Sequence, residues 1–198
     1  MVCLGLANSA PQPTTDATDP VETLYRAHGK TVARWAMRLL GPGADYEDVV
    51  SEVFMVVKRR LPEFRGDSAI TTWIYEITIR VAQGARKRAR WWSWITGRGP
   101  NPGRGQARAC FIPHVDSPHD PQALLEANER TQQLYRLLDG LGEEQRTTLI
   151  LYELEGLSGN QIADITGVNV GTVWARLSRA RKNFLQRLRA WEARENHD

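Results

Sequence analysis

The 198-residue chain is poor in cysteine, poor in histidine and free of long apolar runs, and each shortage removes a class of function. Its two cysteines, Cys3 and Cys110, are too few and too far apart to staple a fold. No stretch approaches the roughly 20 apolar residues that cross a bilayer. The opening MVCLGLANSA has neither the leading basic residues nor the length of a secretory signal. The expectation is a reduced, cytoplasmic protein with no membrane insertion of its own. Cys110, His114 and His119 lie near one another, but with no second cysteine close by they read as linker residues rather than metal ligands. There is no P-loop, no His-Glu metal motif and no Gly-x-Ser-x-Gly, so neither catalysis nor a cofactor is expected. Net charge is also small: the formal value is only +3. Bulk charge therefore announces no polyanion partner, and the placement of the basic residues has to carry that argument.

What is present is helical pattern. Hydrophobic residues make up 41% of the chain and charged residues 25%, the balance of a globular protein. Residues 1–20, rich in Pro, Thr and Asp, read as a flexible tail. Residues 21–94 carry helical periodicity, and residues 95–121 form a Gly, Pro and Arg mixture that interrupts any regular element. The helical pattern returns over residues 122–198. In the first half, Leu24, His28, Val32, Trp35, Ala36 and Leu39 recur at spacings of three and four, and Gly41-Pro42-Gly43 stops that helix. A second helix begins near Asp45, buries Val49, Val50, Val53, Phe54, Val57 and Leu61, and ends at Pro62. A third begins near Ser68, with Ile70, Trp73, Ile74, Ile77 and Val81 as its stripe.

The second half predicts helices over residues 124–138 and 143–154, the latter turning Leu149, Ile150 and Leu154 inward. Ser158 and Gln161 then match a capping box at the start of a two-turn helix that stops at Gly167. Asn169 caps a last helix, buried along Val173, Leu177, Ala180, Phe184 and Leu188. Two helices joined by a tight glycine turn and supported by a third form a helix-turn-helix. No segment alternates with period two, so the predicted class is all-α: two small helical domains joined by a flexible linker, the C-terminal one a helix-turn-helix.

Three surfaces remain. The outer face of the last helix carries Thr172, Ala175, Arg176, Ser178, Arg179, Arg181 and Lys182, types that read guanine edges or hold phosphates. The positions nearest its start, Thr172, Ala175 and Arg176, are expected to meet bases, and Arg179, Arg181 and Lys182 mostly the backbone. The third helix ends in Arg86, Lys87, Arg88 and Arg90, followed directly by Trp91, Trp92 and Trp94. Cations beside aromatics suit single-stranded or melted nucleic acid, but a solvated charge run with core tryptophans and an interfacial membrane anchor fit as well. Asp45, Glu47, Asp48 and Glu52 make an acidic patch on the second helix, poor for DNA and suited to a basic protein partner.

At this point the residues resemble a family. DYEDVVSEVF over 45–54 is similar to the D-x-E-D-V-x-Q-E-V-F signature of extracytoplasmic-function (ECF) sigma factors, and FRGDSAITTWIY over 64–75 to the run that follows it. EGLSGNQI over 155–162 and GTVWARLSRAR over 171–181 resemble segments of the family's last domain. The four segments stand in the family's order, and the likeness covers nearly all of residues 21–188. The resemblance implies that the first domain binds the core RNA polymerase through Asp45, Glu47, Asp48, Glu52 and Phe54. It implies that the same domain captures and melts the −10 element with Phe64, Arg65, Asp67, Ser68, Thr72, Trp73, Arg80, Arg86, Lys87 and Arg88. The last domain would read the −35 element with Ser158, Asn160, Thr172, Trp174, Ala175, Arg176, Ser178, Arg179, Arg181 and Lys182. An anti-sigma factor is the further partner implied.

The sequence departs from the pattern at Ser51 in place of Gln, at Ile79, Arg80 and Gly84 in the melting helix, at Gly142, and at Trp174 and Ala175 in place of Lys-Ser. These positions bear on promoter preference rather than on the fold. The competing functions are a stand-alone helix-turn-helix regulator, which has no use for the acidic helix, and a sigma-like adaptor that titrates an anti-sigma factor.

Overall fold

A computed structural model describes residues 19–97 and 121–195, with side chains described from 128 in the second stretch. The predicted tail, most of the linker and the Cys110, His114 and His119 group lie outside the described residues. Asp19 opens α1 (Pro20–Leu40): its carboxylate accepts the Val21 N–H at 2.9 Å, and Pro20 sits at the first position, where the missing N–H costs nothing. The helix stops at Gly41, whose φ of 94° suits glycine. Gly41 is also packed tightly, because a Cβ there would meet the Tyr135 ring at 2.8 Å.

Asp45 caps α2 (Tyr46–Arg60), which carries acids in its first turn and Lys58, Arg59 and Arg60 in its last, in accord with the helix dipole. A 3₁₀ turn (Leu61–Glu63) and an irregular loop lead into α3 (Ile70–Thr96), closed by Gly97 in the left-handed conformation. This helix starts two residues later than predicted and has no side-chain cap. The second half contains α4 (Pro121–Asp139), α5 (Glu143–Leu149), α6 (Gly159–Thr166) and α7 (Val170–Glu195). All regular structure among the described residues is helical.

One predicted helix ends early. Beyond Leu149 the backbone widens into a π turn (Ile150–Leu154), with the Glu155 N–H reaching back to the Ile150 carbonyl at 3.1 Å. The widening leaves the Leu154 carbonyl free to accept from Arg38 of α1. Leu154, predicted to point inward, is half-exposed instead.

The helices α1, α2 and α3 bury Val32, Trp35, Ala36, Leu39, Val53, Val57 and Ile74 between them. The second half packs Leu138, Ile150, Leu151, Ile162, Val173 and Leu177. The two sets are continuous in one core, with α3 against α6 and α1 against the π turn. The halves of the chain therefore meet along a seam. Arg34 and Arg38 of α1 hold the buried Glu155 carboxylate at 3.1 and 2.8 Å. Arg86 of α3 spans Glu143 at 3.0 Å, Asp139 at 3.0 Å and the Leu40 carbonyl at 3.3 Å. Gln83 donates to the Thr147 hydroxyl at 3.1 Å. At the centre, fully buried Arg146 donates to the Leu39 carbonyl, and its guanidinium lies 5.7 Å over the Tyr135 ring. No helix among the described residues is long and apolar enough to cross a membrane.

Candidate polymerase and nucleic-acid interfaces

The acidic patch of α2 begins at its cap. The Asp45 carboxylate accepts the Asp48 N–H at 3.3 Å, and Asp45, Glu47 and Asp48 are all exposed. Their charge sits at the positive end of the helix dipole, which favours it there. Glu52, one turn on, is half-buried and pairs with Arg88 of α3 at 2.9 Å. Phe54 does not belong to this surface. It is 8% exposed and packs edge-on against Tyr25, ring centres 4.8 Å apart, so it supports the face from beneath.

The expected −10 residues divide between a loop and α3. Phe64 and Trp73 stack at 5.1 Å across the loop, and Arg65, Asp67 and Ser68 project from it into solvent. Gly66, with φ of 78°, supplies the turn that brings Phe64 back over α3. Thr72 is partly covered, while Arg80, Lys87 and Arg88 are exposed. Arg80 pairs with Glu76 one turn back, and Lys87 has no ion-pair partner among the described residues. Arg86 was expected on this surface and is instead 9% exposed, held in the seam by Glu143, Asp139 and Leu40. Position 86 lies on the inner face of α3, so the basic run has one member that is structural.

In the helix-turn-helix, both halves of the capping box form: Gln161 N–H to Ser158 Oγ at 3.3 Å, and Ser158 N–H to Gln161 Oε1 at 2.9 Å. Ser158 and Asn160 are exposed beside it. Asn169 accepts the Thr172 N–H at 2.7 Å and the Thr172 hydroxyl at 3.0 Å, which starts α7. Along the outer face of α7, Ser178, Arg179 and Lys182 are exposed, and Thr172 and Ala175 are half-exposed. Arg176 is pulled sideways to Glu144 at 2.7 Å. Arg181 gives two bonds to Glu153, at 2.9 and 2.7 Å, and this hydrogen bonding raises its pKa. Trp174 lies over Gly159 and 5.7 Å from Tyr152, tying the two helices together while half its surface stays in water.

One surface was not read from the sequence. An apolar groove of about 380 Å³ opens between α4, α5, the π turn and α7, lined by Leu134, Leu138, Leu149, Ile150, Phe184 and Leu185. The Glu153–Arg181 pair stands at its rim. Leu185 (50% exposed) falls off the buried stripe of α7, and it is the one sequence signal that pointed here.

The family model for Sigma-70 region 2 matches residues 24–92, and that for Sigma-70, region 4 matches residues 131–184. Among curated proteins, the ECF RNA polymerase sigma-E factor of Escherichia coli K12 is 33% identical over 147 residues, 71% of this chain and 72% of that protein. The RNA polymerase sigma-H factor of Pseudomonas aeruginosa is 31% identical over 152 residues, 74% of each. Two solved structures share the fold. CnrH in complex with the cytosolic domain of CnrY gives a TM-score of 0.56 at 20% identity, covering 86% of this chain and 88% of that one. RpoE in complex with the anti-sigma factor NepR from Bartonella quintana gives 0.56 at 22% identity, covering 85% and 96%. Both matched regions are those of initiation factors, which bind and direct rather than catalyse. With both sigma regions in order and 33% identity to the sigma-E factor over 147 aligned residues, the chain belongs to the ECF family of RNA polymerase sigma factors.

Proposed function

We propose that the exposed first turn of α2 is the core-polymerase contact, with Asp45, Glu47 and Asp48 facing the enzyme and Glu52 at the margin. The Phe64–Trp73 pair, the loop residues Arg65, Asp67 and Ser68, and the exposed face of α3 with Thr72, Arg80, Lys87 and Arg88 take the −10 strand. The −35 element lies along α7, with Thr172, Ala175 and Ser178 toward bases and Arg179 and Lys182 toward phosphates. Trp174, Arg176, Arg181, Ser158 and Asn160 border that surface. The observation that carries this reading is that the two matched regions leave uncovered an acidic helix start and the outer face of a capped recognition helix.

Two weak DNA sites mounted on one polymerase reinforce each other through effective concentration, so neither half needs a strongly basic surface. Residues 21–94 and 122–198 act as the two functional units, joined through 95–121. The work is cytoplasmic, where polymerase and promoter are. An anti-sigma factor is a fitting restraint, since two proteins of this fold were solved with CnrY and NepR. The apolar groove on α4, α5 and α7 suits an amphipathic helix from such a partner.

The test is transcription in vitro from a fragmented genomic library by core polymerase lacking any sigma factor, with and without the chain. Transcripts with defined starts are expected, and their upstream sequences give both promoter elements. Polymerase binding without transcripts would favour the titrating adaptor, and DNA binding without polymerase binding the stand-alone regulator.

A further inference from the structure

The three tryptophans at the end of α3 are unexplained by the core and unused by the assignments above. Trp91, Trp92 and Trp94 are 59%, 63% and 80% exposed, and Ile95 beside them is 51% exposed. None of the three makes a ring contact among the described residues. So much apolar surface at one helix end marks a place where something binds. Its position along α3 narrows the choice. Trp73 and Trp91 are 18 residues apart, about five full turns, so they share one azimuth about 27 Å apart along the axis. Arg80, Gly84, Lys87 and Trp94 fall within roughly 60° of the same line. The face therefore has an aromatic at each end and cations between.

The middle of the stripe is open. Gly84 puts no side chain there, and only the Arg88 guanidinium reaches over it, 3.5 Å from where a Cβ would stand. A groove of about 220 Å³ runs beside it between α2 and α3, lined in part by Arg60, Arg80, Arg88 and Glu52. The pairs Arg80–Glu76 and Arg88–Glu52 are surface pairs that yield readily to a phosphate. With Arg60 and Lys87 added, the groove and stripe are net cationic. A membrane anchor gathers its aromatics at one depth with cations around them. Here the cations extend along the helix between two aromatic ends, which matches a chain of phosphates carrying stackable bases.

We propose that the exposed stripe of α3 is a track for single-stranded DNA, in which Trp91 and Trp94, flanked by Trp92 and Ile95, form a second stacking platform beyond the Phe64–Trp73 pair. The proposal rests on the reading of α3 as the strand-binding helix and extends it beyond Arg88 by between one and two helical turns. The track is about as long as eight stacked nucleotides at ~3.4 Å each.

The experiment uses the full chain and a fluorescein-labelled dT12 oligonucleotide, with affinity read by anisotropy. The wild type is expected to bind. Trp91→Ala/Trp94→Ala is expected to weaken binding roughly 5- to 100-fold, the range for losing stacked rings, and Trp91→Tyr/Trp94→Tyr to keep most of it. Both positions are exposed, and circular dichroism checks that helicity is retained. Trp73→Ala and Arg80→Ala are run alongside. If these two weaken binding and the Trp91/Trp94 pair does not, the platform is wrong while the strand reading of α3 stands. If the wild type fails to bind, or no variant changes it, the track and the strand reading of α3 both fall. Unchanged oligonucleotide binding with loss of co-sedimentation on phosphatidylglycerol-containing vesicles would overturn the proposal in favour of a membrane anchor.

Discussion

Replacing Arg146 by methionine and by alanine separates charge from packing at the seam. The side chain is fully buried, and among its donors only Nη1 has a hydrogen-bond partner, the Leu39 carbonyl. Nε lies 3.5 Å from Asp139 Oδ1, close enough for attraction but outside hydrogen-bond geometry. Burial, with Arg86 adding to it, pulls the guanidinium down to about 10, against the opposing pull of Asp139 and Glu143. At 1.36 kcal/mol per pH unit, that depression costs on the order of 3 kcal/mol of stability at neutral pH. Methionine fills similar space without the charge and gives up the donor to Leu39, worth about 1–3 kcal/mol. The expected balance for Arg146→Met is between about 0 and 2 kcal/mol of added stability. Arg146→Ala leaves a void as well and should fall about 2–5 kcal/mol below the methionine variant.

Urea unfolding followed by circular dichroism reads both differences. A methionine variant as unstable as the alanine variant would refute the reasoning, because it would mean that the guanidinium's contacts outweigh its burial. The pH dependence has a definite sign. A base whose folded pKa is depressed destabilises the fold at all pH values below that pKa, and the penalty fades as pH rises above about 10. The advantage of methionine over arginine should shrink in the same window.

Gly159→Ala places a Cβ 2.7 Å from Trp174 and should cost about 1–3 kcal/mol, recovered in a Trp174→Ala background, both read by thermal unfolding. Ser158→Ala removes one arm of the capping box and should cost about 1 kcal/mol in the same assay. Asp48→Lys/Glu52→Lys should weaken core-polymerase binding in a pull-down while lowering stability by no more than about 1 kcal/mol, since the Glu52–Arg88 pair it breaks lies at the surface. Unchanged polymerase binding would remove the α2 assignment. Arg179→Ala should weaken −35 DNA binding and lower the slope of log K against log salt by about 0.9, whereas a change confined to one base position would move Arg179 from phosphate to base contact.

Much of the fold was legible because its signals are local. Periodicity placed the apolar stripes of α1, α2, α3 and α7, and two cap signals formed as read: the Ser158–Gln161 box on α6 and Asn169 on α7. Each of these involves side chains and backbone within a turn or two of each other, where sequence spacing and spatial distance coincide. The exposed residues of the candidate surfaces were legible for the same reason. A buried stripe defines the opposite face, and Arg179, Lys182, Asp48 and Lys87 fall on it.

The tertiary structure decided which of those charges are free. Arg86 and Lys87 are neighbours in sequence, yet the helix turns one into the seam and the other into solvent. The partners that capture Arg86 lie 46 to 57 residues away, Arg146 and its Leu39 acceptor are 107 apart, and Arg34 and Glu155 are 121 apart. No periodicity reports such pairings, since they depend on how α3 and α1 meet α5 and the π turn. The same is true of the groove beside Leu185, which exists only where four elements leave space between them. Sequence alone determined the helices and their outward faces, because helix geometry is set within about four residues. Only the packing of the two halves determined which cations remain open to DNA, because a buried guanidinium must take whatever partners the fold brings to it.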